Sequence, residues 1–167
     1  MANDEIIKKI GSEGINFISN AITDDRLFAI FYKSLKDPKI KEALVSMLVH
    51  EGEVVQKSPE KFSILFSMLN DKQTANRLVD LMANEDGIEI LKKVVADDAG
   101  EHLVLGAMQY DYINAHAFVN KLLKRRYGRR LAITLMMRAA AKGDVAKVSI
   151  GMIDVSKSSD LRSRSLE

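Results

Sequence analysis

The sequence predicts an all-α fold, a compact array of about ten short helices. Apolar or small residues recur at steps of three and four along most of the chain, as at Ile10, Gly14 and Phe17. The strict alternation of apolar and polar residues that marks a half-buried strand is absent over any useful length. The chain contains only two prolines, and each follows a residue type that commonly caps a helix. Together these observations favour helices joined by short connections.

Helix starts are marked most clearly where a capping side chain precedes proline, at Asp37-Pro38 and Ser58-Pro59. There the side-chain oxygen accepts a hydrogen bond from an otherwise unpaired N–H, and proline has no N–H to lose. Thr23 is predicted to cap the next helix, because two acids follow it in the first turn. The predicted helices cover residues 3–22, 24–36, 38–56, 59–69, 72–84, 87–96, 99–110, 111–127, 129–142 and 144–154.

Residues 1–155 are predicted to form a single all-α domain, and residues 156–167 a disordered tail that includes vector-derived residues. Within the domain, "GINFISNAITDD" from Gly14 resembles "GIEILKKVVADD" from Gly87. This recurrence suggests two tandem halves, residues 1–73 and 74–154, of five helices each. Chance similarity between amphipathic helices is the alternative, because any two such helices look alike once gaps are allowed.

Composition excludes several classes of protein. The chain of 167 residues has no cysteine, which excludes disulfides, thiolate nucleophiles and cysteine-based zinc sites. No apolar run approaches the length of a membrane span, and the start "MANDEIIKKIGSEG" lacks the apolar segment of a secretory signal. We therefore expect a cytoplasmic protein with no membrane association.

Charge is distributed unevenly along the chain, although the net charge is only +2. Residues 1–100 hold 13 Lys/Arg and 17 Asp/Glu, whereas residues 101–167 hold 12 Lys/Arg and 6 Asp/Glu. An anionic partner is therefore expected to meet the C-terminal part of the chain.

Familiar catalytic motifs are missing, since the sequence has no GxGxxG, P-loop, GxSxG or HExxH pattern. The stretch "HEGE" at residues 50–53 lacks a second histidine four residues on, and it suggests the polar end of a helix running into Gly52. No catalytic residue, metal or cofactor is predicted, and the favoured interpretation is a non-enzymatic protein.

His102 and His116 support an alternative interpretation. They would be about 21 Å apart on one continuous helix, and only a break near Tyr110-Asp111 could bring them together. With an acid such as Glu101 or Asp111, two histidines would suit RNA cleavage by general acid–base catalysis. The competing interpretation is that both are ordinary, half-buried helix residues.

The stretch "KLLKRRYGRR" at residues 121–130 carries six positive charges and no acid. Leu122 and Leu123 should anchor it to the core, and Gly128 should break the helix. Cations near a helix C-terminus are favoured even without a ligand, but that effect accounts for only some of them. The predicted partner-binding residues are Lys121, Lys124, Arg125, Arg126, Arg129 and Arg130.

Two functional hypotheses follow. The first is an adaptor, inhibitor or immunity-type module that binds a protein partner through this charged helical face. The second is a small RNA-binding or RNA-cleaving protein that uses His102, His116 and the basic run 121–130. The sequence leaves the partner and the oligomeric state open.

Overall fold

The computed structural model describes residues 2–142, and in that range the chain is all-helical with no strand. The predicted fold class is confirmed. A 3-10 turn, Ser67–Asn70, lies between the fifth and sixth helices. The ten helices of the described range are α1 Asn3–Glu13, α2 Ile15–Thr23, α3 Asp25–Ser34, α4 Pro38–Lys57, α5 Lys61–Leu65, α6 Lys72–Ala83, α7 Glu85–Val95, α8 Asp98–Tyr110, α9 Tyr112–Leu123 and α10 Arg129–Lys142.

The first predicted helix, residues 3–22, is two helices in the structure. They meet at Gly14, whose φ of 57° lies in the left-handed region that favours glycine. The Gly14 N–H donates to the carbonyl of Ile10 and closes α1. The sequence prediction missed this boundary because the apolar stripe continues across it, from Ile10 to Phe17.

Capping by Asp37 is confirmed, since its carboxylate accepts from the Lys39 N–H at 2.9 Å. The other two predicted caps were wrong. Asp24 caps α3 by accepting from the Leu27 N–H at 2.9 Å, while the Thr23 hydroxyl donates back to the Ser19 carbonyl. Helix α5 begins at Lys61 without a side-chain cap, and Ser58 contributes its backbone carbonyl to the preceding turn.

Within residues 2–142, the buried apolar residues of the core form three clusters. One joins α1 to α4 with parts of α6 and α7 around Phe31. Another joins α6 to α10 around Phe118, and a small third cluster around Phe66 connects α4, the α5 region and α8. Helix α4, the longest described, contacts α1, α7 and α8, and it therefore links the early helices to the later ones.

The contact between α4 and α8 is unusually close at Gly52. This glycine is buried inside α4, and a Cβ placed on it would lie 2.0 Å from the Ala99 carbonyl oxygen. Interpretation of "HEGE" as a helix end was therefore wrong, because α4 continues to Lys57. The missing side chain allows the two backbones to touch.

The proposed duplication stays a prediction. The last predicted helix, 144–154, and the predicted tail, 156–167, lie outside the described residues. The two glycines that begin the similar stretches differ in role, since Gly14 separates two helices and Gly87 lies in the first turn of α7.

Asp71 provides a prediction about stability and pH. It caps α6, and hydrogen bonds from the Thr74 hydroxyl and N–H hold the pKa of its carboxyl below the usual value. The unfolded state therefore binds protons more readily, so this stabilisation is complete above the unfolded pKa, about 4. It is lost as pH falls through the lower folded pKa. When thermal unfolding is measured from about pH 5 down to 2, the unfolding temperature of Asp71→Asn should fall less than that of wild type. Parallel curves of unfolding temperature against pH for the two proteins would contradict this prediction.

Candidate interaction surface

The predicted basic run spans the end of α9, a turn and the start of α10. Helix α9 was predicted to continue to residue 127, but it ends at Leu123. The Lys124 N–H donates to the Leu122 carbonyl, and the Gly128 N–H donates to the Arg125 carbonyl at 3.1 Å. Gly128 is buried, and a Cβ on it would lie 2.7 Å from the Leu122 carbonyl oxygen, which explains why glycine suits this turn.

All the predicted partner-binding cations are exposed, while Leu122 and Leu123 between them are buried. Lys121 forms an ion pair with Asp80 of α6. We refer to the exposed cations together as the basic surface. It comprises Lys121, Lys124, Arg125, Arg126, Arg129 and Arg130.

Two arginines of the basic surface make contacts within the turn. The Arg129 Nε donates to the Leu123 carbonyl at 3.2 Å and so satisfies one of the last carbonyls of α9. Arg125 donates to the Tyr127 hydroxyl at 3.0 Å. These bonds hold two guanidinium groups in place without neutralising their charge.

The remaining members of the basic surface, Lys124, Arg126 and Arg130, have no acidic partner among residues 2–142. The effect of the α9 C-terminus on nearby cations does not extend to Arg130, because that residue lies at the N-terminal end of α10, where the helix dipole disfavours positive charge. Arg130 is therefore a cation placed where local structure gives it no stabilisation.

Exposed apolar side chains adjoin the basic surface. Helix α10 buries one face against α9 and exposes Ile133 and Met137, which are 53% and 67% accessible. Their spacing places both on the same side of α10 as Arg130. Tyr127, in the turn, is also exposed. We call Tyr127, Ile133 and Met137 the apolar strip.

The histidines of the alternative hypothesis lie on different helices, since α8 and α9 break at Asp111 as predicted. Both are half-buried, and the His102 ring lies 5.4 Å from the Phe62 ring. The two candidate acids have other partners: Glu101 pairs with Arg138, and both carboxylate oxygens of Asp111 accept from Asn114.

Other classes of site receive no support within the described range. No group of three His, Asp or Glu side chains there could hold a metal ion. No helix in residues 2–142 combines the length and apolarity needed to cross a bilayer.

Comparison with known proteins finds no matching family model, no significantly similar curated protein and no significantly similar solved structure.

The sequence places Tyr127 within the basic run, but it did not predict that Ile133 and Met137 would be exposed. The signal available was weak: Ile133 and Met137 fall on the opposite side of a helical projection from Leu131 and Leu135. Which of those faces packs against α9 became clear only from the structure.

Proposed function

We propose that this protein is a non-enzymatic interaction module whose basic surface and apolar strip together bind an acidic, amphipathic segment of a partner protein. The observation that carries the proposal is the juxtaposition of Arg130 with exposed Ile133 and Met137 on one face of α10. Lys124 and Arg126 in the preceding turn extend this face with cations that lack an acidic partner among residues 2–142.

The mixed chemistry of the face favours a protein partner over RNA. Protein interfaces are enriched in arginine, methionine and aromatic residues, and a buried apolar contact usually dominates their energy. The apolar side chains of Ile133 and Met137 cannot bind a phosphate backbone. An acidic amphipathic helix could pack its apolar side against them while its carboxylates pair with the cations.

RNA binding or cleavage through His102, His116 and the basic run is the alternative. Tyr127 favours it to a degree, because an aromatic ring among arginines can stack on an unpaired base. His102, however, contacts Phe62, and the acids considered as its catalytic partners have other contacts.

We expect replacement of Lys124, Arg126 and Arg130 by serine to weaken binding of an acidic amphipathic helical peptide at least tenfold. Removing an arginine at the centre of an interface typically costs about 1 kcal/mol or more of binding free energy. The loss of three cations together should therefore weaken binding by more than tenfold. Thermal stability should change little, because the replacement removes no described ion pair. Fluorescence anisotropy with a labelled peptide measures the affinity. Matched charge removal at Lys36, Lys92 and Lys93, which are exposed elsewhere, should have little effect.

Replacement of Ile133 and Met137 by serine distinguishes a protein partner from RNA. This variant should weaken binding of the peptide but leave binding of single-stranded RNA unchanged. For RNA bound through its phosphates, the slope of log affinity against log salt concentration should fall by about one unit for each contact removed. For an acidic protein, salt should act mainly on the association rate. Peptide binding that survives both variants would refute the proposal, and tight RNA binding affected only by the cation variant would establish the alternative.

A further inference from the structure

A cavity of about 160 Å³ lies where the three clusters of the core meet, and it is partly open to solvent. Its wall includes Phe31 from one cluster, Phe66 from the small cluster and Phe118 from the cluster around α9. Packed interiors usually form one contiguous cluster and hold few voids larger than a water molecule. A void of this size is therefore a distinct feature of the molecule.

The wall of the cavity is apolar almost throughout. Among the lining side chains of the described residues, only Asp111 and Asn114 are polar, and they hydrogen-bond to each other. The Asp111 carboxylate accepts from the Asn114 N–H at 3.1 Å and from the Asn114 side-chain amide at 2.6 Å. Among residues 2–142, no lysine, arginine or histidine lines the cavity, so these residues give an anionic ligand no counter-charge there.

Methionines supply an adaptable part of the wall. Met47, Met68, Met82 and Met108 line it, which is half of the eight methionines in the chain. The unbranched, polarisable side chain of methionine adopts alternative shapes at low cost, and it is common at surfaces that accept varied apolar partners.

We infer that the cavity is a binding site for a small, uncharged apolar molecule about the size of one aromatic ring. An engineered apolar cavity of about 150 Å³ in another protein stays dry and takes up benzene or xenon. The cavity described here is of similar volume and is lined mainly by the same kinds of side chain, with methionines in addition, but it is partly open to solvent. This site is separate from the basic surface, so its existence does not depend on the proposed function.

The test uses benzene as the probe and benzoate, of similar size but charged, as its counterpart. In protein labelled with carbon-13 on the methionine methyl groups, benzene should shift the four cavity methionine signals saturably. Met137 is exposed on α10 and reports binding at the surface, so its signal should stay in place. Benzoate should shift none of the four, and benzene should raise the unfolding temperature.

Substitutions on α9 test whether benzene binds inside the cavity. Ala115 lines it, so Ala115→Leu should fill part of it and weaken benzene binding at least tenfold. Ala117→Leu, exposed on the same helix, is the matched control and should bind normally. If Ala115→Leu does not fold, Ala107→Leu fills the cavity from α8. Equal shifts at Met137, the absence of saturation, or normal binding by a folded filled variant would overturn the inference.

Discussion

Replacing Gly52 with alanine is expected to lower the free energy of unfolding by about 2 kcal/mol or more. The new Cβ would lie 2.0 Å from the Ala99 carbonyl oxygen, 2.5 Å from its carbon and 3.2 Å from the Gly100 nitrogen. All three atoms belong to the backbone of α8, so relief requires α4 and α8 to separate. Alanine favours a helix by about 1 kcal/mol over glycine, and this gain offsets only part of the loss. Chemical denaturation monitored by circular dichroism measures the difference.

Two other glycines provide comparisons for the Gly52→Ala prediction. Gly11 has nothing within 4 Å of an added Cβ, so Gly11→Ala should raise stability by up to about 1 kcal/mol through helix propensity. At Gly106 the Cβ would lie 2.3 Å from the Phe62 ring, which is a half-buried side chain on the short helix α5 and can shift more readily than backbone. Gly106→Ala should therefore cost less than Gly52→Ala. A Gly52→Ala protein as stable as Gly11→Ala would show that the two helices are not in backbone contact.

Some features that depend on neighbours in sequence could be predicted, and the Asp37 cap is an example. Its oxygen, the proline after it and the N–H it accepts from all lie within three residues. Gly52 shows the opposite case. Its neighbours in "HEGE" indicate a polar segment, while the reason for glycine is the backbone of α8, nearly fifty residues away. No local pattern carries that information.

The same distinction applies to the candidate sites. The cations of the basic surface all lie within the ten residues 121–130, and the buried leucines among them indicate which side faces outward. The apolar strip could not be predicted, because Ile133 and Leu135 are equally apolar and only packing on α9 separates the exposed residue from the buried one. The cavity was also unpredictable, since its wall brings together residues from distant helices, such as Phe31 and Phe118.

Phe31→Ala is expected to have the largest effect on stability of any single change considered, a loss of about 3–5 kcal/mol. The ring is 1% exposed, and it meets the Phe17 ring edge to face at 5.8 Å. It also forms part of the cavity wall, so its removal would join a new void to an existing one. The penalty for removing a buried ring grows with the volume left unfilled, which places Phe31 toward the upper end of the range.

Phe28→Ala is the matched control for this prediction, because it removes the same ring from the same helix. Phe28 is half-buried, and its ring contacts Tyr32 at 5.8 Å and the Arg77 guanidinium at 5.3 Å. Solvent can occupy the space that its removal leaves, so the loss should be clearly smaller than for Phe31. Many domains are stable by only about 5–15 kcal/mol, so Phe31→Ala should unfold well below the wild-type temperature. Equal losses for the two variants, measured by urea denaturation, would mean that Phe31 does not sit between the core and the cavity as described.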